Sequence, residues 1–130
     1  MRVNIIVFVR DQEASTEFYG RVLAMPPSLH VPGMTEFTLT PDTVLGLMPS
    51  AGIRRLLGPT LRDPEEAHGV PRAELYLSVD DPEAFFERAL ANGAKALSPL
   101  ALRDWGDEVA YCADRDGQIL AFAKLKIEPS

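Results

Sequence analysis

The sequence is poor in residues that cross-link a chain, insert it into a membrane or bind it to a nucleic acid. It contains one cysteine, Cys112, which excludes an internal disulfide and is typical of a reducing compartment. No apolar run approaches the ~18 residues of a membrane-spanning helix, and no secretion signal is recognisable. The formal net charge is −6, without the basic stripe that binds a phosphate backbone. We therefore expect a soluble, cytoplasmic protein that binds neither membranes nor nucleic acids.

Residues that commonly hold cofactors are also scarce. His30 and His68 are the only histidines, and we expect each of them to be exposed. The glycines form neither a phosphate-binding loop nor a dinucleotide-binding pattern, and no Ser, His and Asp arrangement of a hydrolase is apparent. The sequence therefore predicts no organic cofactor.

A strand that leads directly into a helix occurs in the stretch Ala73–Gly93. Apolar and polar side chains alternate from Glu74 to Val79, which is the period of a β-strand. Asp81 is expected to cap the following helix, with Pro82 at its first position and a glycine just after its end.

The same unit occurs earlier, at Asn4–Leu23, where Asp11 is the expected helix cap. Asp11 and Asp81 are 70 positions apart, as are Asn4 and Glu74. Two units in one register indicate an internal duplication, although two unrelated strand–helix units would give a similar pattern.

The rest of the chain predicts further strands and one long linker. The strands are expected at residues 28–31 (a short edge strand), 34–40, 43–48, 94–100, 109–113 and 118–126. The Gly- and Pro-rich linker is expected to hold at most one helical turn, at Ile53–Leu57, with Leu56 and Leu57 packed on the body. The prediction is one α+β domain, residues 1–130, made of two tandem βαβββ modules: module 1 at about 1–49, the linker 50–72 and module 2 at 73–130.

Sorting the strand residues by parity separates two faces. One is wholly apolar and is expected to lie under the two helices; it holds Ile5, Val7, Val9, Leu45, Leu47, Leu75, Leu77, Val79, Leu120 and Phe122. The other is mixed and holds Asn4, Ile6, Phe8, Val44, Gly46, Met48, Glu74, Tyr76, Ser78, Ile119, Ala121 and Ala123. We expect the mixed face to line a ligand cleft. The alternative is that it packs on the other module or on another subunit.

With this layout the chain resembles the glyoxalase / bleomycin-resistance / extradiol dioxygenase superfamily, which has the vicinal oxygen chelate fold. The motifs that carry the resemblance span nearly the whole chain: the first strand into Asp11, Glu17-Phe18-Tyr19 and Leu23, the run Glu74–Asp81, Ala91-Asn92-Gly93-Ala94, Trp105-Gly106, and Asp114-Arg115-Asp116-Gly117-Gln118. Their order and spacing are similar to the family's, although Arg115 stands where the last turn usually has proline. The resemblance implies curled mixed sheets that form a cavity, with modules paired within a chain or across a homodimer.

The resemblance also bears on metal binding. Enzymes of the family hold a divalent metal with His or Glu ligands from the first and last strands of each module. The corresponding positions here are Asn4, Gly46, Glu74 and Ala121. Only Glu74 is a firm metal ligand, whereas a catalytic site needs about three. The resemblance is therefore nearest to the metal-free, bleomycin-resistance-like members that bind a drug-like molecule, and we expect no metal.

Three functional hypotheses follow. The first is non-catalytic sequestration of a small aromatic or cationic drug-like molecule by a homodimer, for antibiotic resistance or self-protection, without catalytic residues. Its expected ligand-binding residues are Asn4, Phe8, Phe37, Met48, Glu74, Tyr76, Trp105 and Tyr111. The second is a glyoxalase-like enzyme or a metal-free lyase or isomerase with Glu74 as acid/base, assisted by Tyr76 or Tyr111. The third is a structural protein with a vestigial cleft.

Overall fold

The computed structural model describes residues 1–126. Its elements, in chain order, are β1 (Val3–Val9), α1 (Gln12–Leu23), β2 (Leu29–Val31), β3 (Met34–Thr40), β4 (Thr43–Pro49), α2 (Ser50–Leu57), a 3₁₀ helix (Pro64–Ala67), β5 (Glu74–Val79), α3 (Pro82–Ala91), β6 (Lys95–Leu102), β7 (Glu108–Ala113) and β8 (Ile119–Lys124). The predicted strands and the two long helices are all present, with ends that differ by up to two residues. The end of the expected module 2, residues 127–130, lies outside the described residues.

The chain divides into two compact units, the first ending at Gly69 and the second beginning at Val70. Each contains one four-stranded sheet, with strand order β1-β4-β3-β2 in the first unit and β5-β8-β7-β6 in the second. In each sheet the first and last strands of the unit are parallel neighbours and the other pairs are antiparallel. The predicted βαβββ layout is therefore confirmed twice over with the same topology.

The two long helices begin at the predicted caps. The side chain of Asp11 accepts a hydrogen bond from the backbone N–H of Ala14 at 3.0 Å, and that of Asp81 accepts one from Ala84 at 3.1 Å. These bonds satisfy donors that the first helical turn leaves unpaired. After α3 the chain reverses at Gly93, whose φ of +100° favours glycine.

In the first unit, α1 packs on β4 and β3. Its buried side chains include Phe18, Tyr19 and Val22, and the sheet contributes Leu45 and Leu47. The rings of Phe18 and Tyr19 meet edge to face, with centroids 5.0 Å apart.

In the second unit, α3 packs on β7, β8 and β6. The ring of Phe85 lies 5.7 Å from that of Phe122, centroid to centroid. Cys112 is fully buried in this layer, and burial raises the pKa of its thiol to about 11.

The prediction for the linker was wrong in part. It contains the eight-residue helix α2, which packs on β4 and β1, and the 3₁₀ helix, whose first turn is capped by Asp63. The physical reason is that Ile53 is a buried anchor, 7% exposed. Leu56 and Leu57, which were expected to pack on the body, are 69% and 46% exposed.

A buried polar network joins α1 to the β2–β3 hairpin in the first unit. The Thr35 hydroxyl is fully buried and lies 2.8 Å from His30 Nδ1, 2.9 Å from Thr16 Oγ1 and 3.0 Å from Gln12 Nε2. His30 Nε2 lies 3.1 Å from a carboxylate oxygen of Glu13. His30 is exposed, as expected, but each of its ring nitrogens also contacts a neighbouring side chain, which gives it a structural role.

Candidate functional site

The sheet of the second unit carries two tyrosines on the face opposite α3. Tyr76 on β5 and Tyr111 on β7 are both paired in register with Ala121 on the strand between them. Tyr111 packs against a fully buried floor of Val109, Ala121 and Ala123. Small side chains on the middle strand leave room for the rings on either side. We call this surface, defined by Glu74, Tyr76, Tyr111, Ala121 and Ala123, the tyrosine face.

Tyr76 is the centre of a hydrogen-bond chain on the tyrosine face. Its hydroxyl donates to Asp107 Oδ2 at 2.6 Å and accepts from the indole N–H of Trp105 at 2.9 Å. The other Asp107 oxygen lies 2.8 Å from Lys126 Nζ. Trp105 is 57% exposed, so one edge of its ring is fixed while much of its surface remains in solvent. An aromatic side chain held in this way is suited to stacking.

The groups of this hydrogen-bond chain shift the pKa values of Asp107 and Tyr76. The hydrogen bonds from Lys126 and then from Tyr76 hold the pKa of Asp107 below its usual value, so Asp107 is a carboxylate. Burial, followed by the hydrogen bond to Asp107, raises the pKa of Tyr76. Tyr76 is therefore a neutral donor, and its proton stays on the phenol oxygen.

Tyr111 lies between opposite charges. The guanidinium carbon of Arg103 is 5.1 Å from the centre of its ring. Burial raises the pKa of Tyr111, and the negative charge of Glu74 raises it further, whereas Arg103 lowers it. Glu74 itself is exposed and makes no hydrogen bond or ion pair with any described residue. The tyrosine face thus presents aromatic rings beside an unpaired carboxylate.

The first unit has a corresponding face of different character. Asn4, Ile6 and Phe8 of β1 alternate onto it, as do Gly46 and Met48 of β4. We call these five residues the Asn4 face. The Asn4 amide Nδ2 donates to a carboxylate oxygen of Glu36 on β3 at 3.2 Å, which the sequence analysis did not foresee. Only tertiary pairing of β3 with β4 brings Glu36 to this place.

At the positions where enzymes of the resembled family carry metal ligands, the residues of this chain do not form a set that fits a metal ion. In the first unit, a Cβ at Gly46 would lie 3.0 Å from Ile6 Cγ1 and 3.3 Å from Met34 Sδ, so apolar side chains fill the space of a ligand. In the second unit, Ala121 is fully buried and offers no donor atom, which leaves Glu74 as the one carboxylate of the set. Within residues 1–126, no group of three or more His, Cys, Asp or Glu could hold a metal ion. We derive no chemistry through a metal from this donor set.

His68 follows Glu65 at a Glu-x-x-His spacing, which is a further pattern of the sequence. Glu65 is bonded through its carboxylate to Arg10 at 3.0 Å. His68 is exposed at the end of the 3₁₀ helix, with φ of +52°. The two residues belong to the folding of the linker.

The predicted ligand residues fall into three groups. Glu74, Tyr76, Trp105 and Tyr111 come together on or beside the tyrosine face. Asn4, Phe8 and Met48 share the Asn4 face. The expectation that Phe37 contacts a ligand is corrected. Phe37 is fully buried and pairs with Leu45 on the side of the sheet that α1 covers. Its ring lies 3.9 Å from the position that a Cβ on Gly20 would take. The reason is the register of β3, because successive residues alternate and Phe37 therefore points to the face of the sheet away from Glu36.

Sequence reasoning missed three side chains of the second unit. Arg103 and Asp107 flank Trp105 in the β6–β7 hairpin, and Lys126 follows β8. The run Arg103-Asp104-Trp105-Gly106-Asp107 was visible as a hairpin, but nothing in it distinguishes an inward from an outward charge. Contacts with Tyr76 and Tyr111 determine which of these charged side chains lie beside the tyrosine face.

The family model described as the Glyoxalase/Bleomycin resistance protein/Dioxygenase superfamily matches residues 2–122. The solved structure of a glyoxalase-related enzyme from Fulvimarina pelagi is similar at a TM-score of 0.79 and 22% identity, covering 99% of this chain and 91% of that one. A protein of unknown function from Agrobacterium tumefaciens str. C58 matches at 0.79 and 24%, covering 97% and 95%. A glyoxalase/bleomycin resistance protein/dioxygenase from Nocardioides matches at 0.72 and 24%, covering 100% and 86%.

At these identities the structural matches establish the fold, which is the vicinal oxygen chelate fold. No curated protein matched the chain. None of the helices in the described part of the chain is long and apolar enough to cross a membrane.

Proposed function

Because the chain belongs to the glyoxalase/bleomycin resistance protein/dioxygenase superfamily, we propose that it is one of the members that bind a small aromatic molecule and sequester it without chemistry. The observation that carries the proposal is the tyrosine face, where the rings of Tyr76, Trp105 and Tyr111 accompany an unpaired Glu74 carboxylate. Rings offer stacking surfaces, and a carboxylate beside them favours a cationic group on the ligand.

The donor set supports binding in preference to metal-dependent catalysis. Of the four positions where the family's enzymes carry ligands, two have no donor side chain and Asn4 is hydrogen-bonded to Glu36. The proposal includes a homodimer in the cytoplasm and a role in resistance to an antibiotic or in self-protection. Light scattering of the purified protein at micromolar concentration tests the dimer, which a monomeric mass would contradict.

Trp105 provides the binding assay, since it is the only tryptophan of the chain. Its fluorescence should be quenched by planar aromatic cations such as ethidium, or by a glycopeptide such as bleomycin, with micromolar or tighter affinity. EDTA should leave the titration unchanged. Glu74→Gln should weaken the cationic probe at least tenfold, because the neutral amide keeps the shape and removes the charge. Glu87→Gln, an exposed glutamate of α3, is the matched control and should have no effect.

Two results would contradict the proposal. One is the absence of quenching across a panel of intercalators and glycopeptides. The other is a stoichiometric transition metal in protein purified without chelator.

An enzymatic role is the second candidate, and the Tyr76–Asp107 hydrogen bond favours it. This bond holds the neutral Tyr76 hydroxyl in place beside Glu74 on the same strand face, so that in a metal-free lyase or isomerase Glu74 would act as the acid/base and Tyr76 would assist it by hydrogen bonding. Turnover of a carbonyl substrate that is lost in Glu74→Gln, while quenching by that substrate persists, would favour the enzyme over the binding protein.

A further inference from the structure

Arg103 is a cation beside the tyrosine face that is held in place by several hydrogen bonds. Its Nε and Nη2 donate to the carbonyl oxygen of Val109 at 3.2 and 2.8 Å. Nη2 also lies 2.7 Å from the carbonyl oxygen of Pro99 and 3.0 Å from Ser98 Oγ. The side chain is half-buried, and its plane is fixed on one edge by backbone acceptors.

The other edge of the guanidinium has no partner among the described residues. Within residues 1–126, Nη1 makes no hydrogen bond, and no carboxylate lies within the 4.0 Å of an ion pair with this side chain. Asp107 does not compensate this charge, because its two oxygens are bonded to Lys126 and Tyr76. A half-buried guanidinium without a counter-ion is costly unless something else neutralises it.

We propose that Arg103 binds a carboxylate group of the ligand through the two N–H donors of Nη1, at the Tyr111 end of the tyrosine face. This inference rests on the proposed binding function and narrows its ligand class to aromatic molecules that carry an acid. With Glu74 on β5 and Arg103 beside β7, such a ligand has its ring on the tyrosines and an acidic group at the guanidinium. If the ligand also carries a cationic group, that group pairs with the carboxylate of Glu74.

A purely structural role for Arg103 is the competing explanation. The pairing of β6 with β7 is irregular between Ala96 and Ser98 and again between Ser98 and Ala101, and Arg103 donates to carbonyl groups near these irregularities. A residue that only stabilises the hairpin does not distinguish a charged from a neutral ligand. The test is therefore discrimination by charge at constant ring shape.

Calorimetric titration with 2-naphthoate, 2-naphthamide and 2-naphthylmethylammonium makes this comparison. Wild-type protein should bind the carboxylate at least tenfold more tightly than the amide, since carboxylate–guanidinium hydrogen bonds are charge-assisted. Arg103→Met should remove the preference. The control is Arg88→Met, because the guanidinium of Arg88 stacks on Phe85 at 4.3 Å on the helix side of the unit, and it should leave the preference intact.

Folding of the Arg103 variant is checked separately. If Arg103→Met does not fold, the Arg103 Nε–Hε signal of the ¹⁵N-labelled wild type serves instead, and it should shift with naphthoate and stay in place with naphthamide. Equal affinity for the carboxylate and the amide, a preference that survives Arg103→Met, or an unmoved Arg103 signal would overturn the inference. Glu74-dependent binding of the ammonium probe alongside any of these results would leave the proposed function standing. Failure of all three probes to bind would count against both.

Discussion

The Thr35 hydroxyl determines how firmly strand β3 is held, and Thr35→Val removes it with little change of shape. The register of β3 places Thr35 toward α1 and its neighbour Glu36 on the opposite side. A strand held at Thr35 therefore keeps Glu36 beside Asn4. The substitution tests whether this network stabilises the first unit.

The expected magnitude follows from the partners. Three hydrogen bonds of 2.8 to 3.0 Å are lost, each with a net contribution of about 1 kcal/mol. The partners are not stranded, since Gln12 Nε2 also donates to the Val31 carbonyl at 2.8 Å and His30 is exposed to water. The added methyl group offsets part of the loss, so we expect the free energy of unfolding to fall by about 2 kcal/mol.

Urea denaturation followed by circular dichroism measures this change, with Thr38→Val as the matched control. Thr38 lies on the same strand but is exposed, and its hydroxyl donates to Ser28 Oγ at 3.0 Å. Its loss should change the free energy of unfolding by less than about 0.5 kcal/mol. If Thr35→Val destabilises no more than Thr38→Val, the network is not a significant support of β3 and the reasoning is refuted.

Three further predictions concern the faces and the core. Tyr76→Phe should release Trp105, which loses its indole acceptor, so the Trp105 emission should move to the red and its anisotropy should fall; unchanged emission would argue against the hydrogen bond. Gly46→Glu should lower the thermal midpoint and gain no zinc affinity, because its Cβ meets Ile6 at 3.0 Å; tight, stoichiometric zinc would contradict this. The free energy of unfolding should decline as the pH rises from 9 to about 11, because the Cys112 thiol ionises at a lower pH in the unfolded chain than in the folded one. Cys112→Ala should flatten this decline. An identical pH profile in the variant would exclude the thiol as the cause.

Local signals were sufficient to predict most of the secondary structure. The cap at Asp11, the cap at Asp81 with Pro82, and the turn at Gly93 act within a few residues, so the sequence shows them directly. The segment 50–72 was misjudged because its glycines and prolines suppress the helical pattern. Burial of Ile53 against β4 and β1, a contact with residues distant in sequence, stabilises α2.

The candidate site was predicted only in outline. Tyr76, Glu74 and Ala121 share a face by simple alternation along β5 and β8, which parity reveals. Phe37 was expected among the ligand-binding residues, but it pairs with Leu45 and is fully buried, because the parity of β3 relative to β4 depends on their pairing. The same pairing brings Glu36 to Asn4, and the hairpin brings Asp107 to Tyr76.

The sequence by itself determined the repeated βαβββ layout, the helix caps and the absence of a donor side chain at two of the four family ligand positions, because each is a matter of residue type and short-range spacing. Tertiary structure alone decided which charges are paired and which are left free. Among residues 1–126, Asp107 is neutralised by Lys126 while Glu74 and one edge of Arg103 are not, because strand register and hairpin geometry set distances between side chains that the chain order does not contain.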